Sequence, residues 1–268
     1  MKRFVAVPDG ELEVLDVGSG EPIVFVQTAL TADELMPVAD DPALGAYRRI
    51  LYHRRGYAGS SPVDGEGSIV RDAGDCVALM AGLGVDRAHV AGVSYSGAVA
   101  LQLAVDAPDR VQTLVVVEPP PTHVPSADEF RAANDRLIRQ RQDAGPAVAL
   151  RDFMDLVVGP GWRETAEGQL PGSVAQMERD VATFFDYDLP ALLSWSFSRE
   201  LARLIRCPVL HIGGTESGPW FAEVRSLVLD WVPHAEDVLL EGADHSLALT
   251  HSSPVARAMA DFLNRHPL

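Results

Sequence analysis

Cysteine, positive charge and long apolar runs are all scarce in this chain of 268 residues. Its two cysteines, Cys76 and Cys207, lie in apolar patterns typical of buried thiols, which argues against a disulfide framework. Lysine and arginine number 22 against 38 acidic residues, a formal net charge of −16, so neither nucleic acid nor an anionic membrane is an expected partner. No apolar run is as long as a membrane span, and the N-terminus has no apolar core of signal-peptide length, so we expect a cytoplasmic protein.

The motifs that usually hold a cofactor are also missing. No pair of histidines and no Cys-x-x-Cys motif has the spacing of metal ligands. The glycines at 18 and 20 lack the rest of a dinucleotide-binding fingerprint, and there is no phosphate-binding loop. We therefore expect neither a metal nor an organic cofactor. Hydrophobic residues make up 47% of the chain, which is enough for one large domain, or for one domain with an insertion.

Predicted strands alternate with predicted helices through most of the chain. The strands after residue 22 are uninterrupted apolar runs, which predicts an α/β fold of three layers, with a mostly parallel sheet covered by helices on both faces. Residues 11–17 alternate polar and apolar side chains, which predicts an antiparallel N-terminal edge. From 119 to 206 only helices are predicted. We therefore expect a core of 1–118 and 207–268, interrupted by a helical cap of 119–206.

A serine stands between a predicted strand and a predicted helix near the middle of this pattern. Residues 88–93 form a short apolar run typical of a buried strand, and an alanine-rich run typical of a packed helix follows Gly97. Ser94 lies in the turn between them, flanked by glycines, whose small size a sharp reversal of the chain requires. This predicts a nucleophile elbow. The match to Gly-x-Ser-x-Gly is loose, because Ser96 occupies the fifth position.

A serine hydroxyl needs a base to take its proton and an acid to orient that base. His245 follows the last predicted strand, at the sheet edge where Ser94 must also lie, and we predict that it is the base. Glu216 follows the preceding strand and completes the chain order of nucleophile, acid and base, so we predict that it is the acid. Two alternatives remain for the acid: Glu118, at the end of the strand after the serine helix, and Asp244, beside His245.

Together these features resemble the α/β-hydrolase superfamily, and within it the capped serine hydrolases of the esterase and lactonase type, over nearly all of the chain. The motifs that carry the resemblance are Gly92-Val93-Ser94-Tyr95-Ser96-Gly97, Arg55-Gly56-Tyr57-Ala58-Gly59-Ser60, Gly213 to Glu216 and Gly242-Ala243-Asp244-His245. The resemblance implies a helical cap over the pocket and an oxyanion hole beside Ser94. The backbone N–H of Tyr95 would form one side of that hole, and that of Ala29 or Thr28 the other.

The loop expected to form the oxyanion hole departs from the family pattern. Where the family usually has a His-Gly pair, this chain has Gln27-Thr28. Either the hole is built differently or the Gln27 side chain faces the substrate, and Gln27 is therefore a predicted pocket residue. Aromatic residues of the cap and of the segment after Glu216 predict an apolar lid over the serine. The predicted pocket residues among them are Phe184, Trp195 and Trp220.

These observations predict a serine hydrolase that forms an acyl-enzyme at Ser94. The apolar lid favours a small to medium-sized ester, thioester or lactone, so the expected partner is a small-molecule carbonyl compound, and a homodimer is left open. Because function depends on the site rather than the fold, two other hypotheses stay open. One is an enzyme of the same fold with a different chemistry, such as a cofactor-free oxygenase, a carbon–carbon bond hydrolase or an acyltransferase. The other is a ligand-binding module.

Overall fold

One mixed sheet organises the chain. A computed structural model describes residues 2–268, and eight strands within them join this sheet. The strands are Lys2–Val7 (β1), Gly10–Val17 (β2), Pro22–Val26 (β3), Arg48–Tyr52 (β4), Ala88–Val93 (β5), Val111–Val117 (β6), Val209–Gly214 (β7) and Glu236–Leu240 (β8). Their order across the sheet is β1-β2-β4-β3-β5-β6-β7-β8.

The sheet is parallel except at its N-terminal edge. β2 pairs antiparallel with β1 and with β4, whereas β4, β3, β5, β6, β7 and β8 each run parallel to the next. This confirms the predicted mostly parallel sheet with an antiparallel N-terminal edge. Because parallel strands end at the same edge of a sheet, the loops after β3, β5, β6, β7 and β8 lie close together, where a site can form.

Helices fill the connections between the strands. They are Met36–Ala39 (α1), Ile69–Gly82 (α2), Tyr95–Asp106 (α3), Ala127–Ala144 (α4), Pro146–Val157 (α5), Trp162–Gln169 (α6), Ser173–Thr183 (α7), Leu189–Ser194 (α8), Arg199–Ala202 (α9), Pro219–Trp231 (α10), Leu247–Thr250 (α11) and Ser252–Leu263 (α12). A π-helical turn, Phe184–Asp188, joins α7 to α8. We call α4 to α9, which lie between β6 and β7 in the chain, the cap helices. The division into a core of 1–118 and 207–268 and a cap of 119–206 stays a prediction.

Alternate residues of the central strands contribute to two apolar cores, one on each face of the sheet. In β3, Val24 and Val26 pack in the core that contains residues of α2 and α3, while Ile23 and Phe25 pack in the core that contains residues of α12. This alternation follows from the period of two that strand side chains have. Helices therefore cover both faces of the sheet, which confirms the predicted three layers.

A third apolar core lies among the cap helices. It includes Leu150, Trp162 and Phe184, together with Leu30 from the loop after β3, so the cap helices pack against the carboxyl edge of the sheet. Elsewhere, Cys76 and Cys207 are separate buried thiols. Within residues 2–268, no helix combines the length and the apolar character needed to cross a membrane.

Candidate active site

Ser94 occupies the sharp turn between β5 and α3. Its backbone has φ 49° and ψ −120°, a conformation with positive φ that is strained for any residue other than glycine. The Ser94 N–H donates to the Val117 carbonyl of the neighbouring strand β6 at 3.0 Å. A strained turn that is tied to the sheet in this way holds the serine hydroxyl clear of both the strand and the helix.

Small residues around this turn make the reversal possible. A Cβ atom on Gly92 would lie 2.3 Å from the Ser96 carbonyl oxygen, so a larger residue would displace the start of α3. Ser96 itself fits because its hydroxyl bonds the turn: Oγ accepts from the Val93 N–H and donates to the Val93 carbonyl, both at 2.9 Å. A serine in place of glycine at this position is therefore accommodated within the turn itself.

His245 and Glu118 continue a chain of hydrogen bonds from the serine. The Ser94 hydroxyl lies 3.1 Å from His245 Nε2, and His245 Nδ1 lies 2.7 Å from Glu118 Oε2. The carboxylate places the ring proton on Nδ1, which leaves the Nε2 lone pair to accept the serine proton. Phe221 stacks on the imidazole, with ring centroids 3.8 Å apart, and helps to hold its plane. This arrangement can activate a serine as a nucleophile.

Glu118 is held rigidly at the end of β6. Its Oε1 accepts from the Gly214 N–H at 2.8 Å, and its own N–H donates to the Ile212 carbonyl at 3.1 Å. Only 1% of the residue is exposed. One carboxylate oxygen is therefore occupied by the backbone of β7, and the other is left for His245.

The prediction of Glu216 as the orienting acid is wrong. The Glu216 N–H donates to the Ala243 carbonyl at 2.9 Å, so its backbone lies near His245, but the residue is exposed to solvent. The physical reason is the strand order. Glu118 ends β6, which lies directly beside the serine strand β5, whereas Glu216 follows β7, one strand farther away. Both positions give the same chain order around the sheet edge, so chain order could not separate them.

The loop after β3 faces the serine. The three residues predicted for the oxyanion hole line the same cavity as Ser94: Thr28, Ala29 and Tyr95. The Thr28 hydroxyl donates to the Val93 carbonyl at 2.9 Å, which joins this loop to the end of β5. The loop takes its left-handed conformation at Leu30, where φ is 64°, so Thr28 needs no glycine-like backbone. The assignment of these N–H groups to an oxyanion hole stays a prediction.

Gln27 does not face this cavity, and its prediction as a pocket residue is corrected. Its Oε1 accepts from the Arg54 N–H at 2.6 Å, and its Nε2 donates to the Thr28 carbonyl at 2.9 Å. These bonds turn the amide back into the protein, where it lines a separate cavity. Gln27 therefore shapes the loop on which Thr28 lies.

Arg54 joins that loop to the cap through buried ion pairs. Its guanidinium bonds the Asp188 carboxylate at 2.8 and 3.0 Å and the Asp72 carboxylate at 2.8 Å, while its Nε donates to the Gln27 carbonyl at 3.0 Å. Asp188 belongs to the π-helical turn of the cap, and Asp72 belongs to α2. Burial raises the pKa of Asp72, and the charge of Arg54 only partly opposes that rise.

Two tyrosines complete this group. The Tyr57 hydroxyl donates to Asp188 at 2.5 Å and accepts from the Leu30 N–H at 2.8 Å. The Tyr95 hydroxyl donates to Asp72 at 2.9 Å, and the guanidinium lies 4.3 Å from the centre of its ring. We call the group the Arg54 network; its members are Gln27, Arg54, Tyr57, Asp72, Tyr95 and Asp188. It holds the backbone on both sides of the predicted oxyanion hole.

An apolar cavity opens in front of Ser94 and His245. A mostly apolar wall with a few polar groups is typical of pockets that bind small molecules. The cap helices and the π-helical turn between α7 and α8 supply much of its wall, including Met154, Trp162 and the predicted pocket residue Phe184.

The two predicted pocket tryptophans do not line this cavity. Trp195 donates its indole N–H to Gln102 at 2.9 Å and stacks on Phe197, with ring centroids 4.9 Å apart. Trp220 packs edge-on against Phe130, at 5.3 Å between centroids, and it is Phe130 that reaches the cavity. Trp220 therefore supports the wall from behind, whereas Trp195 lines a separate cavity. The direction of a side chain cannot be read from its position in a helical segment.

Glu34 lines the cavity with Ser94 and His245, and the sequence did not single it out. It lies in the loop between β3 and α1, outside any motif. Burial raises the pKa of Glu34 to about 7. The charge of His245 lowers this pKa, and the charge of Glu118 raises it further, but both effects are smaller than that of burial. The one feature of the sequence that could have pointed to Glu34 is that it is an acidic residue in a loop after a buried strand.

Replacing this carboxyl group by an amide is expected to stabilise the protein above neutral pH. Because the pKa of Glu34 is about 7 in the folded protein against 4.5 ordinarily, ionising it there costs about 3 kcal/mol. Compared with Glu34→Gln, the wild type should therefore lose stability as pH rises from about 4.5 to about 7. Urea unfolding of both proteins at pH 4.5 and pH 8 measures the difference. The same comparison with Glu216→Gln, at an exposed carboxyl, is the control, and an equal pH dependence in all three proteins would contradict the prediction.

The chain matches the model of the α/β-hydrolase fold family over residues 28–252. It belongs to this family. The matched region includes Ser94, Glu118 and His245, together with the whole set of cap helices. The resemblance that the motifs suggested is thereby confirmed at the level of the family.

Individual α/β hydrolases are similar to the chain at lower identity. A putative carbamate hydrolase, RutD, from Pseudomonas savastanoi pv. phaseolicola is 27% identical over 257 residues, which cover 91% of this chain and 94% of that protein. An enol-lactonase from Burkholderia xenovorans LB400 superposes with a TM-score of 0.83 at 20% identity, over 98% of this chain and 100% of its own. A thermophilic esterase from Thermogutta terrifontis gives 0.82 at 20% identity, over 100% of both chains. At that identity, the two structures establish a shared fold.

Proposed function

We propose that this α/β hydrolase cleaves a small to medium-sized, mostly apolar ester, thioester or lactone through an acyl-enzyme at Ser94. The observation that carries the proposal is the chain of hydrogen bonds from Ser94 through His245 to Glu118. Ser94 and His245 line an apolar cavity, so the serine hydroxyl is open to a substrate there. A hydrolase activity on carbonyl compounds also agrees with the names of the similar proteins, a carbamate hydrolase, an esterase and an enol-lactonase. The apolar wall favours a substrate without a large polar part.

In the proposed reaction, Ser94 Oγ attacks the carbonyl carbon while its proton passes to His245 Nε2. The carbonyl π electrons move to the oxygen, and the negative charge is stabilised by the backbone N–H of Tyr95 and that of Ala29 or Thr28. Glu118 stabilises the imidazolium that forms. The carbon–oxygen or carbon–sulfur bond then breaks, and His245 returns the proton to the departing alcohol or thiol. Water hydrolyses the acyl-enzyme by the same steps, with His245 as its base.

An active-site probe tests this proposal directly. A fluorophosphonate should label the wild type at Ser94, and Ser94→Ala should abolish labelling. Ser96→Ala is the matched control, because Ser96 Oγ is bonded to the Val93 backbone and should not react. Absence of labelling in the wild type, or labelling that survives Ser94→Ala, would overturn the proposal.

The substrate class is then set by a panel of p-nitrophenyl esters of increasing chain length, with thioesters and lactones alongside. Turnover that survives Ser94→Ala but not His245→Ala would favour the hypothesis of a different, base-only chemistry. Tight binding of small molecules without any turnover would favour a ligand-binding module.

A further inference from the structure

Glu34 is the only carboxyl side chain among the residues of 2–268 that line the cavity. The residue is half-buried, and its carboxyl group has no hydrogen-bond or ion-pair partner within those residues. A carboxyl group at the wall of a cavity without a protein partner keeps its hydrogen-bonding capacity for whatever fills the cavity.

No other polar side chain of the wall bonds the Glu34 carboxyl group. His245 bonds Ser94 and Glu118 through its two ring nitrogens. The hydroxyl groups of the wall that donate within the protein do so elsewhere, namely Thr28 to the Val93 carbonyl, Thr31 to Met177 Sδ, Tyr95 to Asp72 and Ser246 to Asp244, and the Thr165 hydroxyl forms no hydrogen bond with Glu34. We therefore expect the partner of Glu34 to come from the contents of the cavity.

We propose that Glu34 is a specificity-determining residue, which accepts a hydrogen bond from a hydroxyl or N–H group of the substrate and excludes substrates that carry a carboxylate. The inference rests on the proposed function, because it concerns the substrate of the same site. It narrows that substrate to a mostly apolar carbonyl compound with one neutral hydrogen-bond donor.

The chemistry of the cavity favours a neutral donor over an ion. A carboxyl oxygen accepts a hydrogen bond whether the group is ionised or protonated, so a hydroxyl or N–H group is bound in both states. A second anion beside Glu34 and Glu118 would add repulsion between like charges in an apolar environment. A cation would have to be desolvated together with Glu34, and ion pairs in such surroundings often gain little.

Matched pairs of esters that differ only in a hydroxyl and a methyl group test the proposal. One pair varies the acyl side, methyl 3-hydroxybutanoate against methyl 3-methylbutanoate, and the other varies the alcohol side, 2-hydroxyethyl butanoate against propyl butanoate. In the wild type, kcat/KM should favour the hydroxyl member of one pair by about tenfold, the worth of one buried hydrogen bond. Monomethyl succinate, which carries a carboxylate, should be the poorest substrate. In Glu34→Leu the hydroxyl preference should disappear, and in Glu34→Gln, which keeps an acceptor oxygen, part of it should remain.

A control and a binding measurement separate this proposal from the proposed function. Thr165→Val removes another hydroxyl of the cavity wall and should leave the hydroxyl preference unchanged. The dissociation constants of the same pairs, measured by calorimetry on Ser94→Ala with and without Glu34→Leu, report recognition without chemistry. A preference in binding that needs Glu34 supports the inference even if the wild type turns over no ester, in which case only the proposed function fails. A preference that is absent from the wild type and from Ser94→Ala, or that survives Glu34→Leu, overturns the inference.

Discussion

Glu118→Gln is expected to lower kcat for a good ester substrate by about 10⁴-fold, the size of effect seen when an orienting carboxylate is replaced by its amide. The Glu118 carboxylate accepts from both the Gly214 N–H and His245 Nδ1. An amide in its place can present its NH₂ group to the ring, which favours a proton on Nε2 and removes the lone pair that the Ser94 proton needs. Steady-state kinetics on one p-nitrophenyl ester measure the effect.

Glu216→Gln is the matched control for this experiment. Both variants replace a glutamate at the end of a parallel strand, but Glu216 is exposed and does not contact His245. Its kcat should stay within about twofold of the wild type, as for most surface substitutions. A large loss with Glu216→Gln together with a small loss with Glu118→Gln would show that the acid is assigned to the wrong residue.

Arg54→Met is expected to lower the free energy of unfolding by about 3 to 5 kcal/mol, the cost of removing one partner from a buried ion pair. It leaves the carboxylates of Asp72 and Asp188, which are 6% and 3% exposed, without a cation in the interior. Asp188 lies in the cap and Asp72 in α2, so the loss also weakens the contact between the cap helices and the sheet. Equilibrium urea unfolding measures the change.

Two further variants distinguish the effect of the uncompensated buried charges on stability from the effect of losing an arginine side chain. Arg54→Met combined with Asp72→Asn and Asp188→Asn removes the uncompensated charges but keeps acceptors for the tyrosine hydroxyls, and it should recover part of the stability. Arg199→Met breaks an ion pair with Asp230 in which the side chains are 43% and 53% exposed. It should cost under about 1 kcal/mol, since exposed pairs contribute little. Equal losses in Arg54→Met and Arg199→Met would contradict the explanation.

The sequence by itself determined the features that are encoded within one short segment. Strand periodicity predicted the three layers, the parallel sheet and its antiparallel edge, because the alternation of buried and exposed side chains is a local property. The strand–turn–helix pattern around Ser94 and the position of His245 after the last strand were enough to nominate both residues. Those two side chains do lie within hydrogen-bond distance in the structure.

Only the tertiary structure decided the features that depend on which strands are neighbours and on where side chains point. The order β5-β6-β7 brings Glu118, and not Glu216, to His245, although both residues end parallel strands. The Arg54 backbone turns Gln27 away from the cavity, and Trp195 and Trp220 do not line it, because long-range contacts fix these rotamers. Glu34 belongs to no motif, and its significance appears only when the cap helices close an apolar cavity over it. Strand order and side-chain direction arise from contacts between distant parts of the chain, which local patterns do not encode.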